Sequence, residues 1–343
     1  MGKQRVVLLP GDGIGPEVVE AGRRVVDAAT DQITWIPMEI GRVAIDKHGD
    51  ALPVHVLEEI RRSGVALKGP TATPIGGGHV SANVRLRKEL ELFANVRPVK
   101  TVPGLETAHG NVDLVVVREN TESLYAGMEN EVAPGVVTSI KVITDRASTR
   151  IAKFAFQYAV RWKRGRITAV HKANIMKKAD GLFLDCARRE AKAFEGRIEF
   201  DDVLVDALAM RLVKDPTEFD VLLLENLYGD IVSDLAAGLI GGLGLAPGAN
   251  YGADCAVFEA IHGTAPDIAG KGVANPIALI LSAAMMCHHL GDADAYLHIR
   301  KAVRAVTEGQ KDVLTPDLGG KGSTEDLTNA IIEVVKQRIA NTS

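Results

Sequence analysis

Several short apolar runs along the chain end abruptly in polar residues: "VVLLPGDG", "GVALKGP", "DLVVVREN", "ITAVHKAN" and "FDVLLLENLYGD". Buried strands of parallel sheets read as unbroken Val/Ile/Leu segments, so the pattern predicts parallel strands. Between them the apolar positions recur with helical spacing. In "PEVVEAGRRVVDAA", Val18, Val19, Val25 and Val26 share one face, and Pro16 suits the first helical turn. "RASTRIAKFAFQYAVRWKRG" reads the same way. Residues 127–145, "GMENEVAPGVVTSIKVITD", are instead β-branched around a Pro-Gly turn and predict a small β insertion. No internal repeat, low-complexity tract or linker stands out. The expectation is an α/β chain.

Ligands of open α/β sheets gather at the carboxyl ends of strands. Lys68, Arg118, His171, Lys172 and Asn226 all stand at such ends. A length of 343 residues exceeds the usual single-core limit of roughly 250–300, which favours two domains or one large unit with insertions. Lysine and arginine number 40 against 44 acidic residues, a net charge of −4; a general nucleic-acid surface is not expected. Cys186, Cys255 and Cys287 are widely spaced and form no CxxC pair, so neither a disulfide framework nor a zinc site is indicated. No segment is apolar enough to span a membrane. A reducing, cytoplasmic setting is expected, or the mitochondrial matrix if a transit peptide has been removed.

"PGDGIGPE" invites a nucleotide reading but lacks the third glycine of the dinucleotide fingerprint and the Gly-Lys-Ser/Thr of a P-loop. A tight turn and a cofactor contact both remain open. Asp230 and Asp234, four apart on a helix, share a face; like charges there repel unless a cation sits between them, and Mg²⁺ or Mn²⁺ would serve, with Asp206 as a third oxygen ligand. Solvated acids are the alternative. Lys172 suits a general base and Tyr125 a general acid if a cleft holds them. Arg87, Arg97 and Arg118, brought together, would fit a compact polycarboxylate.

The chain resembles the metal-dependent β-decarboxylating dehydrogenases, the isocitrate/isopropylmalate dehydrogenase family, and among them the NAD-dependent isocitrate dehydrogenases. The stretches that carry the resemblance are "LLPGDGIGPEV", "LKGPTATPIGGGHVSANVRLRKELELFANVRP", "VVRENTESLYAG", "VHKANIMKKADGLF", "NLYGDIVSDLAAGLIGGLGLAPGANYG" and "EAIHGTAPDIAGKGVANP", in the family's order. It implies a mixed sheet with flanking helices, distinct from the Rossmann fold. The large domain would comprise 1–92 and 241–343, and the small one 93–240. It implies that Ser81, Asn83, Arg87, Arg97, Arg118 and Asn174 bind the substrate, and that Asp206, Asp230 and Asp234 hold Mg²⁺ or Mn²⁺. Tyr125, Lys172 and Asp206 would do the proton chemistry. NAD would rest on Lys68, Thr73, His262, Gly263, Thr264, Ala265, Asp267 and Ile268, with Asn275 on the adenine. The same resemblance implies a homodimer whose sites are shared, with Lys172, Asn174 and Asp206 entering the neighbouring protomer's site.

The implied reaction is oxidative decarboxylation of isocitrate. Homoisocitrate or 3-isopropylmalate oxidation is the alternative, as is a non-catalytic regulatory subunit. Ser81 and Asn83 suit a carboxylate better than an isopropyl group. Asp267 and Ile268 follow "HGTAP" where NADP-using relatives generally carry a lysine and a tyrosine, which favours NAD. Glu225 departs from the proline or uncharged residue common before "NLYGD". The apolar, small-residue stretch "LAAGLIGGLGLAPGA" is expected near an interface between copies.

Overall fold

The computed structural model describes residues 3–72 and 81–341. Among these residues, twelve strands form one ten-stranded sheet and a separate hairpin. The strands are β1 (Gln4–Leu9), β2 (Ile33–Pro37), β3 (Val65–Lys68), β4 (Ala94–Lys100), β5 (Asp113–Glu119), β6 (Glu129–Ala133), β7 (Val136–Ser139), β8 (Arg166–His171), β9 (Glu199–Leu204), β10 (Val221–Leu224), β11 (Pro247–Tyr251) and β12 (Ala256–Ala260). The large sheet runs β2-β1-β3-β12-β11-β4-β5-β10-β8-β9. Strands from 1–92 and 241–343 occupy one half, and strands from 93–240 the other.

Within each half the apolar runs pair in parallel, as the sequence predicts. The halves meet through antiparallel pairings of β11 with β12 and β4, and of β4 with β5, which makes the sheet mixed. The expected β insertion is the β6–β7 hairpin, turned at Gly135 with φ 75°.

Eleven helices among the described residues flank the sheets: α1 (Gly15–Ala29), α2 (Arg42–His48), α3 (Val54–Ser63), α4 (Ala82–Glu89), α5 (Asp145–Arg161), α6 (Ala179–Ala191), α7 (Val205–Lys214), α8 (Asn226–Leu239), α9 (Ile277–His289), α10 (Ala293–Gly309) and α11 (Thr324–Ala340). Val18, Val19, Val25 and Val26 of α1 are buried together. Helix α9 is apolar nearly all round because it lies between β11, β12 and the layer of α1 and α10. The three cysteines are free and buried.

One sequence reading changes, and one of the two left open for the "PGDG" stretch is seen. The stretch "LAAGLIGGLGLAPGA" is absorbed by the chain's own core: Ala236, Ala237, Ile240 and Ala246 are fully buried. Its composition is satisfied within one chain and no longer argues for an interface. The "PGDG" stretch forms the tight turn, held by contacts to neighbouring segments. Asp12 accepts hydrogen bonds from the amides of Arg42 (2.7 Å) and Ala72 (2.8 Å), while Ile14 N donates to Thr264 O at 2.9 Å.

Gly13 sits at φ 60°, and a Cβ there would lie 2.0 Å from the Thr264 carbonyl oxygen. Gly49 has a similar φ of 73° but open space around it. Gly13→Ala adds a backbone collision to the strain of a left-handed residue. It is therefore expected to cost about 3 kcal/mol, against about 1 kcal/mol for Gly49→Ala. Urea unfolding of the two variants measures the difference.

Candidate active site

Because the two halves of the sheet run in opposite directions, their carboxyl ends lie toward opposite edges. Register nevertheless brings the cations to the middle. Lys68 aligns with Glu259, Glu259 with Gly248, and Asn95 with Arg118. Arg97 and Asn95, two apart on β4, point to the same face. A cavity of about 120 Å³ opens there, lined by Lys68, Thr71, Asn83, Arg87, Asn95, Arg97, Glu259 and His262 among others.

The three arginines of the sequence reading do converge. Arg97 is buried, and its guanidinium is pushed down to about 10, first by burial and then by the positive charges of Arg118 and Arg87. Arg118 is lowered by burial and by Arg87. Such crowding persists only if anions offset it. Helix α8 supplies them: Arg97 lies 3.3 Å from Asp234 and 3.7 Å from Asp230, and Arg118 pairs closely with Asp230. Arg118 also donates to Asn226 Oδ1 at 2.7 and 3.0 Å.

A cation therefore already sits between the two aspartates, since Arg97 reaches both. Burial pushes Asp230 up, but Arg118, Tyr125 and Arg97 outweigh it and hold it low. Burial and the neighbouring Asp230 leave Asp234 raised despite Arg97. It is the carboxylate with charge still to be met.

Local structure explains why α8 can deliver these groups. Glu225, the unexplained departure, is its N-cap: buried at 2 % exposure, it accepts from Leu227 N (3.1 Å) and Tyr228 N (3.0 Å), and Lys141 lies 3.4 Å away. A carboxylate at the positive end of a helix dipole is favourable. Gly229 matters for a different reason. A Cβ there would lie 2.5 Å from Arg118 Cγ, so only glycine lets the arginine pass along the helix.

Tyr125 follows Ser123, a buried non-glycine at φ 71°, on a short 3₁₀ turn. Its hydroxyl donates to Asp230 and its ring lies 5.1 Å from the Arg118 guanidinium. Burial and Asp230 raise the phenol, so it stays protonated at neutral pH.

Lys172 and Asp206 form a separate pair, 2.5 Å apart, whose lysine hydrogen bond lowers the aspartate. The Lys172 amide donates to Asp180 at 2.7 Å, fixing the turn after β8. Asn174 is exposed nearby in sequence. Among the described residues no three His, Cys, Asp or Glu side chains cluster as a metal site. One chain thus offers the carboxylates of Asp230 and Asp234 together, with Asp206 elsewhere.

Asn83 accepts from Thr71 at 2.9 Å, which leaves its amide NH₂ for the cavity it lines, and Ser81 stands at the N-cap of α4. Arg85 is structural, held to Asp50 at 2.5 Å. His262, lowered by burial, keeps a buried Nε2 without a hydrogen-bond partner among the described residues, as does Arg97 at Nε. Thr264 and Ala265 follow Gly263 in a turn with φ 38° at Ala265; Asp267 is exposed and Ile268 packs on the core. Asn275 uses one amide hydrogen on Asp317 (3.0 Å) and accepts from Ile277 N, which leaves one donor and one lone pair. Thr73 lies outside the described residues.

Glu259 is the site residue that sequence reasoning missed. It joins Lys68, buried to 2 % exposure, with Arg87 (3.2 Å) and Asn250 (2.8 Å). The available signal was an isolated acid inside the apolar run "AVFEAI". Burial opposes its charge, but Lys68 and Arg87 prevail and hold the carboxyl far below its ordinary value near 4.5.

The model of the isocitrate/isopropylmalate dehydrogenase family matches residues 5–331. A mitochondrial NAD isocitrate dehydrogenase catalytic subunit of Arabidopsis thaliana is 49% identical over 328 residues, covering 95% of this chain and 87% of the relative. A mitochondrial NAD isocitrate dehydrogenase regulatory subunit of Dictyostelium discoideum is 48% identical over 338 residues, covering 98% and 93%. The crystal structure of isocitrate dehydrogenase from Methylococcus capsulatus superposes with a TM-score of 0.94 at 49% identity, over 98% of this chain and all of that one.

A depressed carboxyl contributes stability above its unfolded pKa and loses it as pH falls toward the folded value. Glu259→Gln is expected to cost about 3 kcal/mol at neutral pH, because it strands the Lys68 charge. That deficit relative to the unsubstituted chain should shrink as pH falls below about 4.5. Urea midpoints at several pH values test this; a deficit that does not narrow on acidification refutes the role.

Proposed function

The chain belongs to the isocitrate/isopropylmalate dehydrogenase family, and on that basis we propose that it oxidises isocitrate with NAD⁺, releasing CO₂ and forming 2-oxoglutarate with Mg²⁺ or Mn²⁺. The observation that carries this reading is the convergence of Arg87, Arg97 and Arg118 beside Asp230, Asp234 and Tyr125. Two planar cations lining a small cavity, with Arg118 charged beside them, suit a compact tricarboxylate.

Asp230 and Asp234 would hold the divalent cation, with Asp206 of a second copy completing the oxygen set, and the ion would act as a Lewis acid on the oxygen at C2. The arginines and the Asn83 amide bind and orient the carboxylates, with Ser81 and Asn174 at the margins. Lys172, coupled to Asp206, accepts the C2 hydroxyl proton; bound NAD⁺ would take up the hydride from C2. Tyr125, kept protonated by its surroundings, returns a proton to the carbon that has lost CO₂.

The cofactor is read onto the 262–268 loop, Lys68, Thr73 and Asn275, and the two halves of the sheet onto the two domains divided at 92/93 and 240/241. Asp267, exposed on that loop, would accept hydrogen bonds from the ribose hydroxyls and disfavour a 2′-phosphate.

Sharing of sites between two copies has its own support. Met210 and Val213 on α7, Ile231 on α8, and Val132 and Val137 on the hairpin expose 58–63% of their surface. Helices α7 and α8 carry Asp206, Asp230 and Asp234, so an apolar contact on those helices would bring the second aspartate set close. The relatives named above from Arabidopsis thaliana and Dictyostelium discoideum are mitochondrial; no helix among the described residues is long and apolar enough to cross a membrane.

The regulatory reading is favoured by one observation, the 48% identity to a regulatory subunit. Retention of Tyr125, Lys172 and all three aspartates supports catalysis.

The purified single chain, assayed with isocitrate, homoisocitrate and 3-isopropylmalate against both cofactors and Mg²⁺ or Mn²⁺, should turn over isocitrate with NAD⁺ fastest. Silence until a second kind of chain is added, or dominance of another acid, overturns the reading. Asp267→Lys combined with Ile268→Tyr should shift the kcat/KM ratio toward NADP⁺ by on the order of a hundredfold. Equal use of both cofactors before substitution would remove the role given to the carboxylate.

A further inference from the structure

We propose that a second cleft, on the face of the sheet opposite Arg97, is a binding site for small aromatic anions: a flat ring system bearing one carboxylate or phosphate. Successive residues of a strand point to opposite faces. On β4 and β11, Arg97 and Gly248 line the arginine cavity, whereas their neighbours Pro98 and Pro247 line a separate cavity of about 430 Å³. That size falls within the range of roughly 300–1,000 Å³ typical of small-molecule sites. The cleft lies between α5 on one side and α9 and α10 on the other, and shares no lining residue with the arginine cavity.

Its walls are chemically specific. Tyr158, Trp162 and Tyr296 form an aromatic side, the Trp162 ring centroid lying 5.9 Å from each tyrosine ring, and Leu281 and Met285 add apolar surface. Such walls accept a flat ring by stacking.

The polar residues divide into satisfied and unsatisfied charges. Arg164 is paired with Asp113 (2.6 Å) and Asp220 (3.0 Å), and Lys100 with Asp113. Lys163 and Arg300 line the same cleft and form no ion pair among the described residues. Arg300 is oriented without being neutralised: it donates to the Tyr296 hydroxyl at 2.7 Å, and its guanidinium lies 5.1 Å from that ring. Lys163 is held at φ 54°, a left-handed conformation that a lysine rarely adopts.

The four lining cations against two carboxylates leave an excess of positive charge beside the aromatic wall. A neutral ring would forfeit the cations, and an inorganic anion would forfeit the wall.

The test is isothermal titration calorimetry on the full chain with 1-naphthoate, 1-naphthyl phosphate and neutral 1-naphthylmethanol. One equivalent of at least one anion should bind at millimolar concentration or below, and whichever binds tighter identifies the anionic group. The alcohol should bind at least roughly tenfold more weakly, the loss of a charge-assisted contact. Lys163→Gln with Arg300→Gln, both at exposed positions, should weaken the anion roughly tenfold or more. Leu281→Trp, which fills the cavity, should abolish binding; if that variant does not fold, the surface pair decides alone. Absence of saturable binding by either anion, or an affinity unchanged by the Lys163/Arg300 substitutions, overturns the proposal.

Discussion

The site depends on keeping two buried arginines charged on adjacent strands in the middle of the sheet. Arg97 and Arg118 repel one another and have lost most of their water. An isolated buried cation costs several kcal/mol, so the arrangement stands only because α8 lays Asp230 and Asp234 against them. Much else in the neighbourhood serves that placement. Glu225 caps the helix, Asn226 accepts twice from Arg118, and Gly229 clears the path of the arginine side chain. Tyr125 is held by the same Asp230 that neutralises Arg118, so the candidate proton donor and the candidate carboxylate-binding group are set by one contact.

A second charge balance, on the other side of β4, follows the same logic. Lys68 and Glu259 are both nearly inaccessible to water, and each makes the other tolerable. Asn250 links Glu259 to Asn95, and Asn95 stands opposite Arg118 in the register. A hydrogen-bonded chain from Glu259 through Asn250 thus reaches Asn95, the register neighbour of Arg118, at the seam where the sheet reverses direction. That reversal gives the seam its second property, a cavity on either face of the same two strands.

Reading the sequence recovered the strands whose composition speaks for itself. β1, β3, β5, β8 and β10 are runs of Val, Ile and Leu buried on both faces, and hydrophobicity alone marks them. The strands at the seam were not legible. β4 carries Asn95, Arg97 and Pro98, and β11 reads "PGANY", because the site and the cavities on both faces require polar or ring side chains where a strand would ordinarily be apolar. The hairpin showed itself through its Pro-Gly turn. Glu259 did not, since its partner Lys68 lies far away in sequence.

What the sequence determined by itself was therefore local: helix faces, buried runs, the 230/234 spacing, and the residue types from which a carboxylate-binding site can be made. Only the tertiary structure decided which of those residues meet. It gathered Arg87, Arg97 and Arg118, left Arg85 as a strut, gave Asp230 and Asp234 an arginine between them, and set Lys172 with Asp206 apart. It also turned an unexplained Glu225 into a helix cap and an apparent interface stretch into core. The physical reason is that charge pairing and burial act through space over a few ångströms, whereas propensity and periodicity act along the chain. A buried cation's partner is fixed by strand register and helix docking.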